Sequence, residues 1–310
     1  MDPYTRETQK YVDDRFDMTI DGVYFSHQPI YGYRNQNSST SHIARYIVTK
    51  SILNALNKYR FTNLVDIGGA EGYTAHVIQK VFNVNVQITD FSPNACLRAN
   101  EIFGIRGTPC DIHHLPFQDN EFEVTLCSET IEHVTDYKKA IQELLRITSK
   151  VLIITVPHES PELVAKNIRE NVAHGHIHYF DVNSLDYLKG NVKRLSYQKT
   201  LSPFLIVPRV IAEAYKKPRT KLSFKLYNSL TPLFKKMFGQ GIAEKLVNTD
   251  NWFVKIFKRY DGITFILEKS EIESRESVSR IRASDFINIR VKEFHLNKEL
   301  QENAWRDERQ

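Results

Sequence analysis

The sequence has little cysteine and no long apolar run, and each scarcity excludes a class of protein. Its 310 residues include three cysteines, Cys96, Cys110 and Cys127. Their odd number, their apolar surroundings and the absence of metal-type spacing predict reduced core thiols in a cytoplasmic protein. The most apolar run, residues 151–157, has the length of a buried strand and not of a transmembrane helix.

The N-terminus also lacks the marks of a secretory signal. Residues 1–5 already include an acidic residue, and no apolar segment follows them. A composition of 41% hydrophobic and 25% charged residues is ordinary for a folded, soluble protein. We therefore expect a cytoplasmic protein with one large α/β domain and additions, or with two small domains.

Charge is unevenly distributed along the chain. Residues 201–260 hold twelve Lys and Arg against three Asp and Glu, a local charge of +9, so the remainder carries −4 of the net +5. Three interpretations of this basic segment stay open. It is a lid over an active site, a surface that contacts an anionic membrane or a lipid-linked substrate, or a contact for RNA. No nucleic-acid-binding module is present, so RNA is the least favoured.

Short apolar runs alternate with amphipathic stretches from residue 63 to residue 156. This pattern predicts strands at 63–67, 85–90, 106–110, 123–127 and 150–156, and helices at 73–82, 94–103 and 136–149. Further along, it predicts a short helix at 184–189 and strands at 193–200 and 262–268. Alternating strands and helices predict a doubly wound, Rossmann-like α/β domain with a mostly parallel sheet.

These predicted elements divide the chain into four parts. Residues 1–60 form an N-terminal cap on the sheet edge, helical over about 41–59; residues 61–200 with 261–269 form the core. Residues 201–260 are an α-helical insertion between the last two strands, and 270–310 a charged tail.

A glycine-rich turn joins the first core strand to the first core helix. Such a turn, here from Asp66 to Gly72, lets backbone approach a ligand at a helix N-terminus, but dehydrogenases use one too. Asp90 ends the second strand, where a carboxylate accepts from ribose hydroxyls, and Asp111 ends the third, placed to accept from an adenine amino group. The alternatives are solvated strand-end residues at 66 and 90, and a turn cap at 111.

Several linked motifs follow, and together they carry a family resemblance. They are Asp111 with Leu115-Pro116-Phe117, Asp119 and Phe122-Glu123; Glu129-Thr130-Ile131-Glu132-His133-Val134; Val156-Pro157; and Gly175-His176-Ile177-His178-Tyr179-Phe180. In these motifs the chain resembles class I S-adenosylmethionine-dependent methyltransferases, specifically the type 11 group that includes quinone-biosynthesis enzymes. The resemblance implies S-adenosylmethionine as cofactor and an antiparallel last strand. It departs from the family at Ala70 and Glu123.

The resemblance assigns roles to individual residues. Cofactor binding falls to Asp66, Gly68, Gly69, Gly72, Asp90, Phe91, Asp111, Ile112 and Ser128. His133 is the candidate base, with Glu132 also catalytic, since histidine titrates near neutrality. His176 and His178 are candidate substrate contacts. A divalent-metal site at Glu129, Glu132, His133 and His178, with His176 as the other choice for the last ligand, is a further possibility.

These features predict O-methylation of a small molecule, a glycan or a lipid-linked intermediate, with possible peripheral membrane contact. Two alternatives remain: a methyltransferase-like binding module without catalysis, and a metal-dependent RNA 2′-O-methyltransferase. An Asn/Asp-Pro-Pro-aromatic motif is absent after the fourth strand, which argues against amino-group methylation of adenine or glutamine.

Overall fold

A computed structural model describes residues 3–17, 19–20, 23–24, 42–205, 242–274, 281–287 and 289. Residues 206–241 of the predicted α-helical insertion lie outside these residues, as does most of the charged tail. Within the described part of the chain, the longest apolar helix falls short of what would be needed to cross a membrane.

The described residues centre on a sheet of seven strands. In chain order, after the two-residue strands β1 (Thr19–Ile20) and β2 (Val23–Tyr24), they are β3 (Asn63–Ile67), β4 (Asn85–Asp90), β5 (Gly107–Pro109), β6 (Phe122–Ser128), β7 (Thr148–Pro157), β8 (Arg194–Thr200) and β9 (Gly262–Glu268). Their order across the sheet is β5-β4-β3-β6-β7-β9-β8. β9 runs antiparallel to both β7 and β8, and the remaining pairs are parallel. The predicted fold class is confirmed.

Seven helices accompany the sheet in the described residues. They are α1 (Pro3–Asp17), α2 (His42–Leu56), α3 (Tyr73–Phe82), α4 (Pro93–Phe103), α5 (Tyr137–Ile147), α6 (Pro161–Arg169) and α7 (Ile242–Phe257). The helix predicted at 136–149 ends two residues early because Thr148 already begins β7. The Thr148 hydroxyl donates to the carbonyl of Leu144 in the last turn of the helix. The short helix predicted at 184–189 is a single 3₁₀ turn, Asp186–Leu188.

Side chains along the central strands alternate between the two faces of the sheet and belong to two separate hydrophobic cores. Val124 and Val151 point to the face covered by α2, α3 and α7, whereas Leu152 and Cys127 point to the face covered by α5. All seven residues of β9 are buried, as expected for a strand with a neighbour on each side and helices on both faces. The two cores hold the strand ends in fixed positions.

The sequence places the helix over 41–59 on the edge of the sheet, and the structure corrects this. α2 lies on the sheet face, where Ser51 Oγ is 2.8 Å from Thr264 Oγ1 of β9. Lys50 Nζ donates to Asn248 Oδ1 of α7 at 2.9 Å. Apolar residues on both sides of α2, including Ile43 and Leu53, are fully buried, so the helix needs cover from the sheet and from α7 together.

Close packing at Gly107 sets the distance between α4 and β5. A Cβ at this position would lie 2.7 Å from the Cα and from the carbonyl oxygen of Cys96. Backbone atoms cannot move aside as the end of a long side chain can. Glycine therefore allows α4 to approach β5, beside the carboxyl end of β4.

Replacing this glycine provides a test of the packing. Gly107→Ala should destabilise the fold by about 1–3 kcal/mol, because the added methyl overpacks the contact with α4. Gly104→Ala is the matched control: its Cβ would meet nothing within 4 Å, and its φ of 65° makes the cost about 1 kcal/mol of backbone strain. Urea unfolding measures both, and equal losses would contradict the close approach.

Candidate active site

The carboxyl ends of the parallel strands meet at one edge of the sheet, around a cavity of about 420 Å³. The cavity lies where the chain order reverses between β3 and β6, the position at which open α/β sheets bind ligands. Among the predicted cofactor residues, those that line it are Gly68, Asp90, Phe91, Asp111, Ile112 and Ser128. Asp66, Gly69 and Gly72 lie beside it without being part of its lining.

The turn after β3 has a conformation that depends on left-handed backbone. Gly68 and Gly72 have φ of 74° and 82°, and a Cβ at Gly68 would collide with the Thr130 side chain. Ala70 has φ of 49°, which costs an L-residue about 1 kcal/mol. Its methyl group packs with Phe16 of α1, so the departure from glycine at this position supplies a contact.

Asp90 connects this turn to the end of β4. Its Oδ2 accepts from the Ala70 N–H and its Oδ1 from the Ser92 N–H, each at 2.9 Å. Burial raises the pKa of Asp90 to about 6, although these two bonds oppose the shift. Asp66 is 1% exposed and lies under the turn, where burial and then the charge of Asp90 raise its pKa to about 8. Neither carboxyl group is a solvated strand-end residue.

Asp111 lies on the wall of the cavity and also caps its own turn. One oxygen, Oδ1, accepts from the His113 backbone N–H at 2.9 Å and lies 2.6 Å from His113 Nδ1. Burial acts to raise the pKa of Asp111, but the contacts with His113 outweigh it and hold the pKa below its ordinary value. Asp111 therefore caps its turn through one carboxylate oxygen, and its other oxygen can contact a ligand.

Helix α1 covers the cavity, which the sequence analysis missed. Tyr4 Oη donates to the Gly175 carbonyl at 3.3 Å, and Gln9 Nε2 donates to the Phe91 carbonyl at 3.2 Å. Farther along α1, Asp13 accepts from the Ser92 hydroxyl. The lining residues of α1 are Tyr4, Thr5, Thr8, Tyr11, Val12, Arg15 and Phe16. These residues recur at intervals of three and four, so they form one stripe along the helix. This spacing is the signal in the sequence from which their common face could have been predicted.

Three carboxylates gather at the end of the cavity nearest β6 and β7. Glu132 is fully buried, and neither of its carboxylate oxygens has a hydrogen-bond partner. Glu129 has φ of 53°, a strained conformation for this residue type, and accepts from Thr155 Oγ1 at 3.0 Å. Burial, followed by repulsion from Glu129, holds the pKa of Glu132 well above its usual range. Glu159 completes the group and lies 2.8 Å from His176.

Arg45, from the first turns of α2, also lines this end of the cavity, and sequence reasoning missed it. Burial lowers its pKa, while the charges of Glu129, Glu71 and Glu132 act to raise it. Its Nε is buried with no hydrogen-bond partner. A buried donor that is left unsatisfied costs stability, so Arg45 is a candidate for contact with a ligand.

Histidines complete the cluster, and the structure chooses among the candidates. The rings of His133 and His174 stack with centroids 3.7 Å apart, and His176 contacts His133 edge-on at 4.7 Å. All three line the cavity. His178 does not: its Nε2 is 2.6 Å from the Val134 carbonyl, and its ring packs on Tyr137. Of the two predicted substrate histidines, only His176 reaches the cavity.

The environment of His133 determines which nitrogen is available. Nδ1 is 3.2 Å from the Gly175 carbonyl and donates its proton there, so Nε2 keeps its lone pair. Nε2 is 3.8 Å from Glu132 Oε1. Burial, and then repulsion from His174 and His176, hold the pKa of His133 well below 6.5, so the ring is neutral near pH 7.

A divalent metal would find suitable ligands in this cluster. Glu132, His133 and His176 each offer a ligand atom, and these atoms lie within 4.8 Å of one another. The unpartnered carboxylate of Glu132 fits a cation, and the nitrogen and oxygen donors suit a transition-type divalent ion. His178, which the sequence analysis included in the metal set, is outside the group, and Glu129 is adjacent to it.

The basic insertion takes no part in the cavity as far as it is described. None of the described residues among 201–205 and 242–260 belongs to the lining, whereas α1 and the segment around His174 do. The lid interpretation of the insertion thus has no support from its described residues.

Comparisons with known proteins agree with this geometry. A family model described as a methyltransferase domain matches residues 65–152. Norajmaline N-methyltransferase of Rauvolfia serpentina is 26% identical over 117 residues, 34% of this chain and 40% of that protein. An uncharacterized protein of Methanocaldococcus jannaschii is 31% identical over 127 residues, 38% of this chain and 54% of that protein. The aligned part spans about half, or less, of these two relatives.

Among solved structures, geranyl diphosphate C-methyltransferase of Streptomyces coelicolor has a TM-score of 0.49 and 13% identity, covering 87% of this chain and 98% of that one. That protein was solved with Mg²⁺, geranyl diphosphate and S-adenosyl-L-homocysteine.

The raised pKa of Asp66 predicts a pH dependence of stability. The folded state holds a proton on this group up to about pH 8, whereas the unfolded chain releases it near pH 3.8. Stability from this group is therefore complete below pH 3.8 and is lost as pH rises towards 8, by up to about 1.4 kcal/mol per pH unit. The free energy of unfolding of Asp66→Asn should change less between pH 5 and pH 8 than that of wild type, whereas Asp14→Asn, at an exposed site, should show the wild-type change. If all three proteins had parallel pH profiles, Asp66 would not be a buried carboxyl group that keeps its proton.

Proposed function

We propose that this chain, whose residues 65–152 match a methyltransferase domain, binds S-adenosylmethionine and transfers its methyl group to an acceptor in the cavity. The observation that carries the proposal is the junction of the Gly68 turn with Asp90 at the cavity wall. There, a left-handed backbone turn and a strand-end carboxylate lie within one hydrogen bond of each other. This pairing suits an adenosyl group with a free ribose diol.

Each part of the cofactor has a chemically matched partner in the cavity. The remaining lone pairs of Asp90 accept from the ribose hydroxyls, and the free oxygen of Asp111 accepts from the adenine amino group. Ile112 and Phe91 provide apolar contacts for the base. Arg45, which lines the cavity and has an unpartnered Nε, donates to the methionine carboxylate. The helix α1 excludes water from this assembly.

The cluster around His133 is the proposed acceptor end. A hydroxyl acceptor must lose its proton as it attacks the methyl group, and the neutral Nε2 of His133 is available to take it. In its ionised form, Glu132, whose Oε1 lies 3.8 Å from His133 Nε2, stabilises the imidazolium that forms. His176, whose ring contacts His133 edge-on, orients the acceptor beside it. This arrangement supports O-methylation of a small molecule, a glycan or a lipid-linked intermediate.

A metal-dependent version of the same reaction is the second candidate. Glu132, His133 and His176 would hold a divalent ion, and such an ion lowers the pKa of a bound hydroxyl. The observation that favours it is the fully buried Glu132 carboxylate without a hydrogen-bond partner. RNA as acceptor stays the less favoured alternative. A binding module without catalysis would not need neutral His133 beside this carboxylate.

Calorimetry tests the cofactor site. Wild-type protein should bind S-adenosylmethionine and S-adenosylhomocysteine in a 1:1 ratio. Asp90→Ala should weaken binding by about 1–3 kcal/mol, because the ribose hydroxyls lose their acceptor. Asp119→Ala, at an exposed position outside the cavity, should bind as wild type does. A folded wild-type sample that gives no heat with either ligand would remove the proposal.

Histidine variants separate the base from the metal. If an ion binds, Mn²⁺ titration should show a single site, and His176→Ala should weaken it at least tenfold, since a ligand is lost. His178→Ala is the matched control and should leave Mn²⁺ binding unchanged, because its Nε2 is occupied by Val134. If no ion binds, the metal candidate is wrong and His133 acts as a base alone.

Whether or not an ion binds, His133→Ala should lower methyl transfer from labelled S-adenosylmethionine into cell extracts by about 10²–10⁴-fold, because the base is lost. Unchanged transfer would exclude a catalytic role for His133.

A further inference from the structure

The end of α7 carries an exposed surface that the active site does not use. We call it the aromatic–basic surface and define it by six residues: Trp252, Lys255, Ile256, Phe257, Lys258 and Arg259. Leu246, Val247 and Val254 form the opposite, buried side of the same helix. The helix is therefore fixed to the protein by one face and presents the other to its surroundings.

The three apolar members of this surface are exposed. Trp252 is 59% exposed, Ile256 50% and Phe257 42%, and Phe257 stacks on Phe204 with ring centroids 4.0 Å apart. Trp252 and Ile256 are four residues apart, so they are neighbours on the helix. Single exposed apolar residues are ordinary, but a contiguous aromatic and aliphatic group marks a contact site.

The charged members of the surface all have the same sign. Among the described residues, none forms an ion pair with Lys255, Lys258 or Arg259. The adjoining sequence, residues 206–241, adds eight Lys and Arg against one Glu. The chemistry that complements this surface is therefore a large anionic partner with an apolar layer beneath its charges.

Topology places the surface at the edge of the sheet that holds the active site. β9 begins at Gly262, which pairs with Pro157 at the carboxyl end of β7. The His158 ring stacks on Tyr260 with centroids 4.7 Å apart. The next residue after His158 is Glu159, which lies 2.8 Å from His176 of the cavity. A short series of contacts thus connects the end of α7 to the proposed acceptor end.

We propose that the aromatic–basic surface docks the protein on an anionic lipid bilayer. Trp252, Ile256 and Phe257 enter the interfacial layer while the three cations remain among the lipid headgroups, which is how interfacial helices divide their faces. A second copy of the chain fits less well because two cationic surfaces repel each other. RNA fits less well because a convex helix face offers no groove that follows a strand.

Docking in this orientation brings the cavity to the level of the headgroups. It favours a lipid-linked acceptor among the classes given above, and this second part rests on the proposed function. The docking itself does not, because it is measured without methyl donor or acceptor.

Vesicle co-sedimentation of the full chain tests the docking. Wild-type protein should sediment with vesicles of phosphatidylcholine and phosphatidylglycerol at 7:3 and stay in solution with phosphatidylcholine alone. Binding should fall as salt rises, since screening weakens the surface charges. Replacing Lys255, Lys258 and Arg259 together by Glu should weaken partitioning on the order of 100-fold or more, as each basic residue near the surface contributes roughly fivefold.

Two matched controls locate the effect on this surface. Replacing Lys58, Lys80 and Arg106 by Glu makes the same change of net charge at exposed positions on the opposite edge of the sheet, and should cost little binding. Ile256→Ser should reduce binding, whereas Leu97→Ser should not, although both side chains are 50% exposed. Thermal unfolding of each variant confirms that it is folded.

Trp252 also provides a direct reporter of insertion. The sequence has a second tryptophan, Trp305, so Trp305→Phe leaves one fluorophore. Its emission should shift to the blue with anionic vesicles and be quenched by brominated acyl chains. No sedimentation at low salt, equal loss with the opposite-edge variant, or an unquenched Trp252 would each overturn the proposal. Two further results would overturn it in favour of another partner. Light scattering could show a dimer that Ile256→Ser abolishes, or the wild-type protein could bind RNA but no vesicles.

Discussion

The hydrogen bond from the Ala70 N–H to Asp90 Oδ2 is the interaction on which the site depends. It joins the turn after β3 to the end of β4 at 2.9 Å, and it holds Ala70 in a left-handed conformation that the residue does not favour. The same carboxylate also fixes Ser92, whose hydroxyl then donates to Asp13 of α1. One buried acidic group therefore positions the glycine turn and, through Ser92, the helix that covers it.

Desolvation governs the other end of the cavity. Glu132 is fully buried and Glu129 and His133 are partly buried, and burial shifts the pKa of each towards its neutral form. Such groups reduce stability unless a ligand satisfies them. Their gathering around a cavity, next to the unpartnered Nε of Arg45, supports the proposal that they bind a ligand.

The acidic cluster at the cavity and the basic residues at the end of α7 lie in different regions of the molecule. Carboxylates and histidines gather at the cavity, whereas cations that form no ion pair with any described residue are exposed at the end of α7. β7 and β9 connect the two regions through their pairing at Pro157 and Gly262. An acceptor that arrives along a cationic, aromatic surface would thus reach an acidic interior a short distance away.

Local pattern in the sequence determined the strands at 63–67, 85–90 and 262–268 and the helix at 73–82, because alternation and helical spacing are properties of neighbouring residues. It also determined the glycine turn and Asp90. Only the tertiary structure decided that α1 covers the cavity, that α2 lies on the sheet face, and that His176 joins His133 while His178 turns to Val134. These outcomes rest on single contacts between residues 44 to 213 positions apart, and such contacts leave no periodic signal in a sequence.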